Sequence, residues 1–478
     1  MGITKKIIVS LVFIYVIKSV LWAMIIPVFQ TPDENRHYNY VAHLAKRGTL
    51  PLAETAHIGP TYVLEETVFL EQLTDFDRVH FSPRAKATFF LNDSLWQQVK
   101  RYQENDRISD YEDPENIYMG FYPPLYYMLG ALVYRVAMIF DANLLVRFYA
   151  LRLFQIVVSA LIPLLGILLL KALGYSKRFI VAFSLILMFW PQFSMFTIGL
   201  QPDVLATVLT LGIGLLYIKH FQQGVPGFYW KLGLLYGALL LIKFHLFLIM
   251  ASLAAFYFFY EWIRLKRWSF KIIISIFTPL LLAVPWFFHN FVHYGVLLPH
   301  AKLGSIENLS LFRRFWYFLS VAKKSTFPTS VGYFGWRDTR MPDWFYVLFY
   351  ALILVASVGV FYLVIKYLMR YFKEPLNSGQ KIREMFNTDI PHFIIYLPMV
   401  LHIALMLYLS MTISPYLNDQ GRQYFPQIFA LLLLFLMGSR AIWKSENWGN
   451  RYLLFIAILV ICSNVFSLVM IWQRYYLA

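Results

Sequence analysis

Two carboxylates and an imidazole stand together just after the first apolar stretch, in the string Thr31-Pro-Asp33-Glu34-Asn-Arg-His37-Tyr. Adjacent acids at a membrane interface are costly unless solvated, paired or bound to a metal. On a helix beginning near Pro32, Asp33 and His37 are four residues apart and share a face, so they can converge on a substrate or a divalent cation. The same residues read equally as a helix N-terminus, with proline in the first turn and acids favoured by the macrodipole. Polar groups recur at the ends of later apolar runs: Gln201-Pro-Asp203, Lys243, Gly335-Trp-Arg337-Asp338-Thr and Asp419-Gln-Gly-Arg422. Plain readings stand beside these. Arg422 can snorkel to headgroups, Asp203 can anchor a helix start, and His245 and His289 can be satisfied polar groups. Lys243, between two apolar runs, marks a cavity or a helix break. The acidic run at 111–115 reads as a solvated loop.

The elements that must position these groups are membrane helices. The 478 residues are 59% hydrophobic and 14% charged, with a mean hydropathy of +0.57, which is too apolar for an ordinary soluble domain. Apolar runs have the length needed to cross about 30 Å of hydrocarbon. Spans are expected near 7–28, 147–171, 178–198, 203–219, 231–244, 246–262, 270–293, 343–369, 390–413, 422–441 and 452–472. The segment 121–140 supplies a twelfth span or an interfacial helix. The first run lacks a small-x-small cleavage site and reads as a retained helix. The expected fold is therefore an all-α polytopic membrane protein of 11–12 transmembrane helices, a single domain over 1–478.

Basic residues sort the loops. If 121–140 does not cross, Lys5 and Lys6, Lys171 to Arg178, Arg264 to Lys271, Lys366 to Arg383 and Arg440 to Arg451 share the cytoplasmic side. The opposite, extracytoplasmic side then receives a long first loop at 29–146 carrying interfacial helices, and a second loop at 294–342. The stretch Leu309 to Lys324 alternates aromatic and basic residues at helical spacing, as an amphipathic interfacial helix does. Its Arg313, Arg314, Lys323 and Lys324 suit an anionic ligand such as a lipid phosphate. The net charge of +16 is explained by this topology and not by nucleic acid. The one cysteine, Cys462, excludes an internal disulfide. No phosphate-binding glycine loop, Gly-x-Ser-x-Gly elbow or His-Glu-x-x-His is present, so ATPase, serine hydrolase and zinc protease readings have no support.

Pro32-Asp-Glu-x-x-His37-Tyr-x-Tyr40, followed by Gly48-x-Leu-Pro51, resembles the polyprenyl-phosphate-sugar-dependent membrane glycosyltransferases of the C superfamily, the protein O-mannosyltransferase and aminoarabinose transferase type. Gly335-Trp-Arg-Asp338-Thr and Asp419-Gln-Gly-Arg422-Gln-Tyr-Phe-Pro426 resemble a large bacterial membrane-protein family within or near it. The resemblance continues in order through Pro123-Pro-Leu-Tyr126, Arg152, Gln201-Pro-Asp203, Lys243 and His289-Asn290. The sequence departs from the best-studied members in showing no soluble sugar-binding domain after the last span.

The resemblance implies a single, inverting displacement at the anomeric carbon of a hexosyl or pentosyl group. Asp33 would take the acceptor proton, and Glu34 would assist or help Asp33 hold a divalent cation, Mg or Mn. His37, Lys243, Arg337, Asp338 and Arg422 would bind substrate, the cations meeting the departing phosphate. The implied partners are a polyprenyl-phosphate sugar donor, an envelope glycan, lipid or protein acceptor, and the plasma membrane bilayer, with the active site extracytoplasmic and the N-terminus cytoplasmic. Two other readings stay open: a transporter or flippase of a lipid-linked saccharide, and a polysaccharide polymerase or ligase. The first should show broken helices and ionisable groups near the bilayer midplane, neither of which is evident in the sequence.

Overall fold

The computed structural model describes residues 3–53, 63–79, 82, 84–86, 93–105, 117–140, 143–265, 271–299, 310–373, 378–413, 419–443 and 445–477. The acidic run at 111–115 lies outside them.

Among the described residues, nine helices are long and apolar enough to cross a bilayer: Lys5–Ile25, Leu144–Ala172, Pro202–Gln223, Phe244–Trp262, Lys271–Tyr294, Asp343–Met369, Asp389–Thr412, Gly421–Ala441 and Glu446–Tyr476. Two expected spans take another form. The one at 178–198 is broken into Lys177–Phe189 and Pro191–Phe196. Trp190 between them has φ −59° and ψ 119°, the extended ψ that a following proline favours. The one at 231–244 is the shorter helix Phe228–Leu240, which stops just before Lys243.

The segment 121–140 holds a helix shorter than the nine spans. Its helix, Leu125–Ile139, has 15 residues, about 22 Å at the usual rise, which is short of a bilayer core. It lies along a second short helix, Glu34–Arg47. Leu125 N donates to Leu241 O at 3.0 Å and Arg135 Nε to Ala45 O at 2.6 Å. Gly130 permits this approach, since a Cβ there would stand 2.9 Å from Val41 Cγ2.

An aromatic-rich helix at Leu311–Val321 presents Leu311, Phe312 and Trp316 outward and runs into a π-helical turn, Ala322–Thr326. A two-stranded hairpin follows, with Tyr333 opposite Arg340 and Phe334 opposite Thr339. Its turn needs Gly335 twice over: φ is 60°, and a Cβ would fall 2.0 Å from Asp338 Oδ1.

The interior holds one feature unexpected from the sequence. Lys18, about two turns below the end of the first helix, is buried and donates to Ser194 Oγ at 3.1 Å. Asn464 Nδ2 also donates to Ser194, at 2.8 Å, and Trp22 Nε1 donates to Asn464 Oδ1 at 3.0 Å. The network ties the first and last helices to the broken one.

Candidate functional site

Asp33 caps the 34–47 helix in an unusual way. It sits in the left-handed region, at φ 64° and ψ 7°, and its carboxylate makes no cap hydrogen bond. It turns instead to Arg422 at the start of the Gly421–Ala441 span, forming a salt bridge. Arg422 Nη1 donates to Pro32 O at 3.0 Å, and Arg36 Nη1 reaches Asp33 Oδ1 at 3.3 Å. Burial pushes the Asp33 carboxyl up, but Arg422, with His37 and Arg36 behind it, outweighs this and holds it below the usual carboxylate range.

A second pair stands nearby: Lys243, in the break after Phe228–Leu240, and Asp203, in the first turn of Pro202–Gln223. His37 and Tyr122 feel the charges of both pairs. His37 is pushed down to about 4, by burial first and then by the opposed pulls of Asp33, Arg422, Asp203 and Lys243, so it is neutral at pH 7. Its Nδ1 lies 2.9 Å from Tyr127 Oη. The Tyr122 phenol is pushed up by burial and by the Asp203 and Asp33 carboxylates, which keeps it a proton donor. Two carboxylates, two cations, a neutral imidazole and a phenol thus converge.

Two expected site residues are placed elsewhere. Glu34 is fully buried beneath Asp33 and is held by Arg152 through Nε at 2.9 Å and Nη2 at 2.7 Å. The remaining Arg152 donors go to the carbonyls of Ala23, Ile26 and Pro27. Neighbours in sequence, Asp33 and Glu34 diverge because the left-handed Asp33 turns its carboxylate off the helix. Asp338 is likewise buried, 2.8 Å from Arg474 on the last helix. Burial pushes its carboxyl up, and Arg474 only partly offsets this. Arg337, at φ 68°, points the other way, to Asp419 at 2.5 Å and Ser325 Oγ at 3.1 Å.

Arg337 and Arg422 both line a narrow cleft with Pro32, Gln192 and Gln420. Beyond Arg422 a larger, apolar groove of about 560 Å³ runs between the Asp343–Met369 and Gly421–Ala441 helices. It starts at Ser330, Gly421 and Tyr424 and continues past Phe361 and Val364, which are exposed on the lipid-facing side. The two helices meet at Gly359 and Gly438, where a Cβ on Gly359 would stand 1.9 Å from the Gly438 carbonyl.

Residues the sequence did not single out are Tyr122, Gln192 and His402. His402 is buried, makes no hydrogen bond, and its ring lies 6.0 Å from that of His245, beside Lys243. The donors do not fit a cation held by Asp33 and Glu34, because separate arginines engage the two carboxylates. Among the described residues no group of three or more His, Cys, Asp or Glu is placed to hold one.

Comparison with solved structures finds the same fold. ArnT from Cupriavidus metallidurans in its apo state is 11% identical with a TM-score of 0.50, covering 98% of this chain and 77% of that one. Its structure bound to undecaprenyl phosphate is 12% identical with a TM-score of 0.46, covering 99% and 78%. No curated protein matches the chain. A polytopic membrane protein that shares the fold of ArnT, the chain is matched over residues 16–433 by the family described as Predicted membrane protein (DUF2142), and belongs to it.

Proposed function

We propose that this protein is a glycosyltransferase that moves a sugar from a polyprenyl-phosphate donor to an envelope glycan, lipid or protein acceptor. The observation that carries the reading is the Asp33–Arg422 pair, with Arg422 lining a cleft and its neighbour Gly421 lining the end of a long apolar groove. A groove of that kind suits a prenyl chain, and an arginine beside its end suits the phosphate. The fold shared with ArnT supports the same general class.

The chemistry follows from the residues. The acceptor hydroxyl oxygen attacks the anomeric carbon from the face opposite the phosphate. The bond from that carbon to the phosphate oxygen breaks, and its electron pair leaves on the polyprenyl phosphate. Arg422, with Lys243 and Arg337, meets the departing charge, and Asp33 takes the hydroxyl proton. Asp33 tied to Arg422 is ionised but a weak base. Donor phosphate competes for Arg422, and this competition raises the basicity of Asp33 only when donor is bound. His37 and Tyr122, both uncharged, would be the hydrogen-bonding partners of sugar hydroxyls in this reading. The basic residues Lys171, Lys177, Arg178, Arg440 and Arg451 fall at the end of the bundle opposite this site, which favours an extracytoplasmic active site.

Transfer of radiolabel from polyprenyl-phosphate sugars to envelope extract by the purified protein tests the reading. Wild type transfers label, and Asp33→Asn lowers the rate by roughly 10²–10⁴-fold. If no donor supports transfer, the reading fails. One observation favours transport instead: buried Lys18 of the first helix, bonded to Ser194 on the broken helix, matches the discontinuous helices and buried ionisable groups of transporters. Movement of intact lipid-linked saccharide across proteoliposomes, without bond cleavage, would select it.

A further inference from the structure

At the end of the bundle opposite Asp33 and Arg422, a second cavity of about 760 Å³ opens where the Leu144–Ala172 and Gly421–Ala441 helices run out. Its floor is apolar, built from Phe179, Val358 and Met437 among others. Its rim carries Lys366, Arg440 and Glu446 with the rings of Trp443, Tyr175 and Tyr362. Aromatic rings of this kind settle at headgroup level. Tyr175 is fixed there, stacked on Phe179 at 4.5 Å with its hydroxyl 3.3 Å from His392 Nε2.

The rim is not electrically balanced. Glu446 lies 2.8 Å from Arg440 Nη2, so the one acid of the rim is already engaged. Lys366 is exposed and makes no ion pair among the described residues. Two cations against one carboxylate leave a net positive rim over an apolar floor. We infer that this cavity binds an anionic phospholipid of the host bilayer, with its phosphate at Lys366 and Arg440 and an acyl chain along the floor. A soluble phosphate has no use for the floor, and a zwitterionic headgroup leaves the rim charge unmatched. The site is independent of the transfer reaction and lies at the other membrane face.

Native mass spectrometry of the full chain in detergent, titrated with phosphatidylglycerol or phosphatidylcholine, tests this. Phosphatidylglycerol is expected to bind several-fold more tightly than phosphatidylcholine. Lys366→Gln should weaken it by about fivefold, and Trp443→Ala should weaken both lipids. Lys231→Gln, an exposed lysine outside the cavity, should change nothing. Equal binding of the two lipids, or equal weakening by Lys231→Gln and Lys366→Gln, overturns the inference. Lys366 is exposed, so its variant keeps the fold, as thermal unfolding in detergent verifies.

Discussion

The region around Arg152 and the region around Arg422 each pair an arginine with one carboxylate of the same Asp33-Glu34 dipeptide, yet they are finished differently. Around Arg152 the side chains of the pair are 1% and 0% exposed, and every guanidinium donor has a protein acceptor. Around Arg422 both side chains are 20% exposed, and the arginine lines an open cleft. Burying a pair so completely leaves no valence for a ligand; leaving one partly open means that a ligand can compete for it. Lys243–Asp203, at 18% and 15%, belongs with the second kind, and Arg474–Asp338, at 6% and 1%, with the first.

Breaking the two regions should therefore give opposite results. The largest effect on folding is expected from Arg152→Met, which strands Glu34 without its partner and should cost about 3–5 kcal/mol, read as loss of folded protein on unfolding in detergent. The counterpart, Arg422→Ala, should leave the unfolding midpoint close to wild type while lowering transfer by about 100-fold. If Arg422→Ala unfolds the protein as Arg152→Met does, the distinction between clamp and site collapses.

Smaller effects sharpen it. Neutral buried His37 titrates near 4, below the ordinary histidine value, so the unfolded chain binds the extra proton between about pH 6.5 and 4. Stability should fall as pH drops through that window. His37→Gln should flatten the slope there, and an unchanged slope would mean that other groups dominate. The smallest effect is expected from Arg337→Ala. Arg337 is 40% exposed at the cleft rim, so a few-fold loss of donor affinity with no change in unfolding is the predicted outcome.

The spans were legible because length and apolarity decide them, and the motifs around Asp33 and Arg422 marked two chain segments that do meet. The break at Trp190 was not read, although Pro191 stands within the apolar run expected as one span at 178–198. What was not legible is direction. Nothing in Asp33-Glu34 tells that a left-handed residue sends one carboxylate to Arg422 and the next to Arg152. Likewise Arg337 and Asp338 are adjacent but point to Asp419 and Arg474, because the tight Gly335 turn separates them. The partnership of Asp203 with Lys243 needs two helices brought together by tertiary packing, and local sequence carries no trace of it.

The central claim is that Arg422 belongs to a lipid phosphate and is lent to Asp33 in its absence. The most direct measurement is the affinity of the purified protein for a polyprenyl phosphate, compared among wild type, Arg422→Ala and Asp33→Asn. Loss of a charge-assisted contact predicts about ten- to hundredfold weaker binding for Arg422→Ala. Asp33→Asn, which removes the competing carboxylate, should bind as tightly as wild type or more so. Binding that is indifferent to Arg422→Ala, or that weakens equally in both variants, would contradict the account.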